Sequence, residues 1–228
     1  TARLPDSGPH QVSLNNMPLF HIGGLNVTAL PSLAVGGTCV IMRMFDPTAT
    51  LHAIDNPDLG INMLFMVPAA YNAMKAHPAV ESTDFSRIVT ALCGAETVPV
   101  SLVEWWLERN VVIQEGYGMT ETAAGGTMLR KEDIPHMIGS AGRALLHTRV
   151  RIVDEAGATC APNVPGEIWF KGNAVTPGYW RNPEANAKSF VDGWFKSGDI
   201  GRMNEQGYVY IEDRVKDMYI SGGENVYP

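Results

Sequence analysis

The chain has 228 residues, 45% of them hydrophobic, enough apolar material for one large core or two smaller ones. A net charge of −7, with no basic run longer than Arg130-Lys131, argues against nucleic acid as a partner. The three cysteines, Cys39, Cys93 and Cys160, form no CxxC pair and indicate neither a disulfide framework nor a zinc site.

From about residue 38 the pattern alternates between short apolar runs and helical stretches. Thr38 to Met42 is β-branched and predicts a strand. Asp46-Pro47 offers an N-cap and a first-turn proline for a helix through Ile54. Ile61 to Val67 predicts a second strand and Pro68 to Lys75 a helix, then Ile88 to Leu92 a third strand. Pro99 opens a helix through Arg109, with Leu102, Val103, Trp106 and Leu107 as its apolar stripe, and Val111 to Ile113 is the fourth run. Strands alternating with helices imply an α/β fold, a mostly parallel sheet covered by helices. After about residue 138 the texture changes. Arg149 to Asp154 and Glu167 to Lys171 alternate in period two between frequent turn signals such as Asp192-Gly193 and Glu205-Gln206-Gly207. A helix over 183–190 interrupts them. This half reads as a small antiparallel, β-barrel-like subdomain.

In open α/β sheets, ligands bind beyond the carboxyl ends of the strands. Three segments leave strands with unusual composition: Pro18 to Gly24, Cys93-Gly94-Ala95-Glu96, and QEGYGMTETAAGG over 114–126. In the last of these, Tyr117 offers a flat face to a base, Thr120 a hydroxyl to a phosphate, and Glu121 a carboxylate to Mg²⁺. The alternative is a structural turn. His21 is either a satisfied core histidine or a pocket group. Asp199, just after Gly198, suits the two hydroxyls of a ribose or an Asx-type turn. Arg214, at the end of an expected strand over 208–212, pairs with a phosphate, a ribose or a neighbouring carboxylate. Ser221-Gly222-Gly223-Glu224 reads as a flexible connector.

PLFHIGG, CGAE, YGMTET, GSAGRAL, GEIWFKGNAVTPGYW, GWFKSGD, GYVYIEDRVKD and SGGENVYP stand in this order along nearly the whole chain. Together they resemble the adenylate-forming superfamily of acyl- and aryl-CoA synthetases, peptide-synthetase adenylation domains and luciferases, closest in look to bacterial fatty-acyl-CoA synthetases. The resemblance implies ATP and AMP, Mg²⁺ and coenzyme A as ligands. Tyr117 would stack on adenine opposite Gly94, Ala95 and Glu96, with Glu115 contacting the adenine amino group and Gly116 and Gly118 flanking the ring. Thr120 would bind the α-phosphate and Glu121 the metal. Asp199 would take the ribose hydroxyls, and Arg214 the ribose and phosphate. His21, Gly24, Met119, Ala123 and Gly125 would line the acyl pocket, Lys216 would be a hinge, and Ser221, Gly222 and Gly223 would line the CoA tunnel.

The resemblance also implies three regions: 1–137 as a second α/β subdomain, 138–213 as the barrel-like one, and 214–228 as hinge and start of a C-terminal domain. The family's phosphate-loop lysine and C-terminal lysine are not among these residues. The chain is therefore expected to be the central part of a longer enzyme, inactive by itself and completed by the rest of the same polypeptide. Small residues at HIGGL and TAAGGTML favour a fatty acid. An aryl-CoA ligase or an amino-acid adenylation domain is the alternative, although Asn62 to Pro68 lacks the acid that commonly reads an α-amine. A non-catalytic AMP-binding module is the alternative of another class. With no signal peptide and no apolar run of about 18 residues, the expected location is cytoplasmic, or peripheral to a membrane through the parent protein.

Overall fold

The computed structural model describes residues 8–134, 136–214, 219–221 and 224–226. They belong to two compact units, Thr1–Glu115 and Gly116–Pro228.

The first unit alternates as the sequence suggests. β1 (Val12–Asn15) leads to a π-helix over Gly23–Ala29, continued by α1 (Leu30–Ala34) and then β2 (Thr38–Ile41). There follow α2 (Pro47–Asp55), β3 (Met63–Met66), α3 (Pro68–Lys75), β4 (Thr90–Gly94) and α4 (Val100–Leu107). β5 (Ile113–Tyr117) completes the series and runs across the unit boundary. The strand order is β2-β1-β3-β4-β5. β1 pairs in parallel with β2 and β3, and β3 in parallel with β4. The carboxyl ends of β1, β3 and β4 therefore share one edge of the sheet.

Local chemistry explains the helix starts. The Asp46 carboxylate accepts from Ala49 N at 2.7 Å, capping α2 one residue before its proline. α3 begins at Pro68, whose fixed φ suits a first turn. Leu102, Val103 and Trp106 bury the inner face of α4. Trp106 is fully buried, with Tyr71 and Phe85 set edge-on to its ring at 5.7 and 5.3 Å. Such aromatic pairs add to plain area burial.

The fourth strand departs from expectation. It does not end at Ile113: Gln114 to Tyr117 continue it, so the first part of the polar segment is strand, not loop. Likewise Gly23 and Gly24 belong to a helix, not a glycine loop. A side chain on Gly24 would run into the carbonyl oxygen of Pro18, so close packing requires glycine there.

In the second unit, β6 (Thr127–Met128) pairs antiparallel with the end of β5, and β7 (Arg143–Ala144) with β6. The barrel-like sheet comprises β8 (Thr148–Val153), β9 (Gly166–Gly172), β10 (Phe190–Val191), β11 (Trp194–Met203) and β12 (Val209–Arg214), all antiparallel. Its order is β10-β11-β9-β8, with β12 pairing the later part of β11 on the edge opposite β9. α5 (Pro183–Ser189) precedes β10, capped by the Asn182 side chain, which accepts from Ala185 N. β13 (Tyr219–Ser221) and β14 (Glu224–Val226) form a hairpin.

Ile152, Ile168, Phe170, Phe195 and Val209 form the core of this sheet. Asp192 and Gly193, at φ 51° and 75°, make the tight β10–β11 turn. Trp194 to Asp199, by contrast, is part of a ten-residue strand and not a turn. Cys39, Cys93 and Cys160 are free thiols. Among the described residues no helix is long and apolar enough to cross a membrane.

The indole N–H of Trp106 is buried without a hydrogen-bond partner. Trp106→Ala should therefore cost ~3–5 kcal/mol in urea denaturation through the cavity it leaves. Trp106→Phe, which keeps an aromatic ring and removes the unsatisfied donor, should cost clearly less. Equal losses would contradict this view of the core.

Candidate nucleotide site

In the second unit the sequence-predicted residues converge. Tyr117, at the end of β5, donates its hydroxyl to Asp199 Oδ2 at 2.6 Å, although the two are 82 residues apart. Its ring lies against Phe170, centroids 5.6 Å apart. Asp199 is only 5% exposed, so the charged-group partner matters.

A bulge in β11 presents Asp199. Its register with β9 shifts between Lys196 and Ile200. Gly198, at φ 76°, adopts the left-handed backbone that the bulge requires, and its N–H donates to Glu167 Oε1 at 3.0 Å. Trp169 Nε1 holds the other oxygen of Glu167 at 2.8 Å. Ser197 Oγ accepts from Asp199 N at 3.0 Å. The Asx-type turn considered for Asp199 is thus replaced by a serine-braced bulge. Arg214 ends β12, with its Cα paired in register with Asp199.

After Tyr117 the chain makes a compact loop. Thr120 to Thr122 form a single 3-10 turn, closed by the Thr122 hydroxyl, which accepts from Met119 N at 3.0 Å. Thr120 is exposed and Glu121 half-buried. Ala123 and Ala124 follow in the left-handed region, at φ 51° and 77°. The loop then returns as Gly126 N donates to Tyr117 O at 3.0 Å. Such left-handed alanines are sparsely populated conformations held in place by the surrounding bonds.

Glu121 is tied down twice. Its carboxylate Oε1 accepts from the Tyr179 hydroxyl at 2.8 Å, and its main-chain oxygen accepts from Thr176 N at 2.7 Å. Sequence reasoning gave Tyr179 no role. The available signal was the turn composition of Pro177-Gly178-Tyr179 within an otherwise unassigned motif.

Met119 packs against the barrel core formed by Ile152, Ile168 and Phe170. Leu145 Cδ1 lies 2.7 Å from where a Gly125 side chain would begin. A side chain on Gly126 would strike the Phe170 ring. Packing inside this unit thus explains the smallness of Gly126, whereas at Gly125 the neighbour is the end of a flexible leucine side chain.

In the first unit, Gly94 is buried at the end of β4, and the chain leaves the strand through Ala95 at φ 71°. Ala95 is exposed and Glu96 half-buried. His21 Nδ1 accepts from Gly23 N at 3.2 Å, so the ring braces the start of the π-helix. Gly116 and Glu115 lie within β5, and Gly118 follows it. Burial raises the Glu115 carboxyl from 4.5 to about 7. Burial, and then the Glu115 charge, push the Cys93 thiol well above its ordinary range. Ser221 lies in β13, whereas Lys216, Gly222 and Gly223 are outside the described residues.

The donor set at Glu121 is hard oxygen, and no group of three His, Cys, Asp or Glu that could hold a metal occurs among the described residues. One carboxylate suits a cation that completes its shell with phosphate oxygens and water, as Mg²⁺ does.

Comparison with known proteins identifies the family. The AMP-binding enzyme family matches residues 2–180, and the chain belongs to that family. A feruloyl-CoA synthase from an Amycolatopsis species is 43% identical over 211 residues, covering 92% of this chain and 43% of that protein. A long-chain-fatty-acid–CoA ligase from Mycobacterium tuberculosis is 37% identical over 215 residues, covering 93% of this chain and 41% of the ligase. Among solved structures, o-succinylbenzoate CoA synthetase from Bacillus subtilis in complex with ATP and magnesium superposes with a TM-score of 0.85 at 33% identity. That match covers 98% of this chain and 46% of the other. The chain thus spans less than half the length of these relatives.

Glu115 makes stability depend on pH in a definite direction. The folded chain keeps the carboxyl proton up to about pH 7, whereas the unfolded chain releases it near 4.5. The folded state holds the extra proton between those values, so stability falls as pH rises through that window, by on the order of 3 kcal/mol. Glu115→Gln should remove this slope in denaturation curves taken between pH 4.5 and 7. A slope unchanged in the variant would contradict the assignment.

Proposed function

We propose that the polypeptide containing this chain is an AMP-forming acid–thiol ligase. A substrate carboxylate oxygen bonds to the α-phosphorus of ATP as the bond to the β-phosphate oxygen breaks, releasing pyrophosphate and giving acyl-AMP. The thiol of coenzyme A, losing its proton to solvent, then attacks the acyl carbon, and AMP leaves. The observation that carries this reading is the Tyr117–Asp199 bond, which sets an aromatic face and a buried carboxylate side by side. That is the pairing a nucleoside needs, a surface for the base and an acceptor for ribose hydroxyls.

Each residue has a physical task. Tyr117 holds the base by stacking, and Gly94, Ala95, Glu96 and Glu115 remain proposed nucleotide-binding residues. Asp199 accepts from the ribose, and Arg214 pairs with the ribose and phosphate. Thr120 donates to the α-phosphate. Glu121 holds Mg²⁺, which when bound offsets the repulsion between the incoming carboxylate and the phosphates. Positioning, not proton transfer, is the larger share of the protein's work in such a step. The ATP and magnesium bound by the Bacillus subtilis relative support this ligand set.

The substrate is proposed as a carboxylic acid with an apolar body. Small residues in the 123–126 segment favour a fatty chain, but the smallness of Gly126 is already explained by Phe170. The relatives named above include both an aryl and a fatty acid ligase. His21, Gly24, Met119, Ala123 and Gly125 remain the proposed acyl-pocket residues. Lys216 remains the proposed hinge, and Ser221 to Gly223 the proposed CoA path.

Calorimetry with AMP tests the nucleotide site on the 228-residue chain. Loss of base stacking costs ~1–3 kcal/mol, so Tyr117→Ala should weaken AMP binding roughly 5- to 150-fold. Unchanged affinity would remove the ring from the site. The ligase activity is tested by pyrophosphate release from the polypeptide at its full length, with a panel of fatty, aryl and amino acids plus CoA. Release with a fatty or aryl acid supports the proposal, and release only with amino acids overturns it.

A further inference from the structure

Tyr179 belongs to none of the groups assigned above, yet it controls one of them. Its hydroxyl donates to Glu121 Oε1 at 2.8 Å from 58 residues away. The tyrosine is itself fixed with unusual completeness. Its N–H donates to Asn186 Oδ1 at 2.6 Å, and Asn186 Nδ2 returns a bond to the Tyr179 carbonyl at 3.1 Å. Its ring meets Phe190 edge-on, centroids 6.2 Å apart. Thr176, three residues earlier, holds the Glu121 main chain at 2.7 Å. The segment between β9 and α5 therefore grips Glu121 by both its backbone and one carboxylate oxygen.

We propose that Tyr179 is a positioning residue that makes Glu121 a one-oxygen metal ligand and thereby selects Mg²⁺ over larger divalent cations. The inference rests on the reading of Glu121 as the metal ligand. With Oε1 engaged by the phenol, Oε2 remains to face a cation. Mg²⁺ demands compact octahedral geometry with single-oxygen carboxylate contacts, whereas Ca²⁺ accepts a carboxylate through both oxygens at longer distance. Removing the phenolic oxygen frees Oε1, lets the carboxylate rotate and relaxes that preference. The tyrosine acts by a neutral hydrogen bond to an ionised group, so it also holds one rotamer of Glu121 ready before the nucleotide arrives.

The test is the ATP affinity of the full-length polypeptide, by calorimetry, in MgCl₂ and separately in CaCl₂. The wild type should bind ATP more tightly in Mg²⁺. Tyr179→Phe, which keeps the ring and its contact with Phe190, should lower the Mg²⁺-to-Ca²⁺ affinity ratio about 10-fold, an interaction of roughly 1.4 kcal/mol. Glu121→Gln should bring the ratio close to one. An equal loss in both cations, or no loss, overturns the positioning role and leaves the nucleotide site standing. ATP affinity that ignores divalent cations in the wild type overturns the metal-ligand reading of Glu121 together with this inference. If Tyr179→Phe does not fold by circular dichroism, Asn186→Ala is measured instead. It loosens the Tyr179 backbone while leaving the hydroxyl, and should shift the ratio in the same direction; an unchanged ratio again overturns the role.

Discussion

The hydrogen bond from Tyr117 to Asp199 is the constraint on which the proposed nucleotide site depends. A carboxylate this buried must be compensated, and a short bond from a phenol does so while fixing the plane of the ring. Bonds to charged groups of this kind contribute about 1.5–3 kcal/mol. The same bond ties the end of β5 to the bulge of β11, so the tyrosine ring and the carboxylate are held in a fixed relation to each other. Everything around it serves this alignment. Glu167 absorbs the Gly198 N–H exposed by the bulge, Phe170 backs the tyrosine ring, and Gly126 lets the returning loop pass over Phe170.

A second layer of support reaches Glu121. The segment after β9 carries no charged group of its own between Gly172 and Trp180, yet it holds the one carboxylate of the 3-10 turn through Tyr179. Loop 120–126 keeps two left-handed alanines by bonding back to Tyr117, Met119 and Thr120. Strain of this kind survives only where neighbouring contacts determine the conformation. Glu121, the proposed metal ligand, is therefore held by parts of the chain distant in sequence.

Much of the architecture is legible from local signals. α3 occupies Pro68–Lys75 as expected, and α2 and α5 start where an Asp-Pro and an Asn-Pro pair supply cap and first turn. Proline fixes φ and the preceding side chain satisfies an orphan N–H, so these boundaries are written in two residues. Gln114 to Tyr117 are not apolar, so hydropathy ends the run at Ile113; pairing with neighbouring strands, β6 at Gly116 and Tyr117, extends β5 past it. β11 hid for a similar reason, its bulge at Ser197-Gly198 reading as a turn. The π-helix at Gly23 depends on the close approach of Pro18 and on His21, contacts that no periodicity reports. Tyr117, Glu121 and Asp199 stand out as candidates by residue type, and the structure joins two of them, Tyr117 and Asp199, by a hydrogen bond. Tyr179 does not stand out, because its significance lies in where its hydroxyl lands.

The central claim is tested most directly by a crystal structure of the chain grown with AMP. The account predicts adenine against the Tyr117 ring, with the ribose hydroxyls donating to Asp199 and the phosphate beside Thr120. AMP bound elsewhere, with the Tyr117 ring and the Asp199 carboxylate untouched, would contradict it.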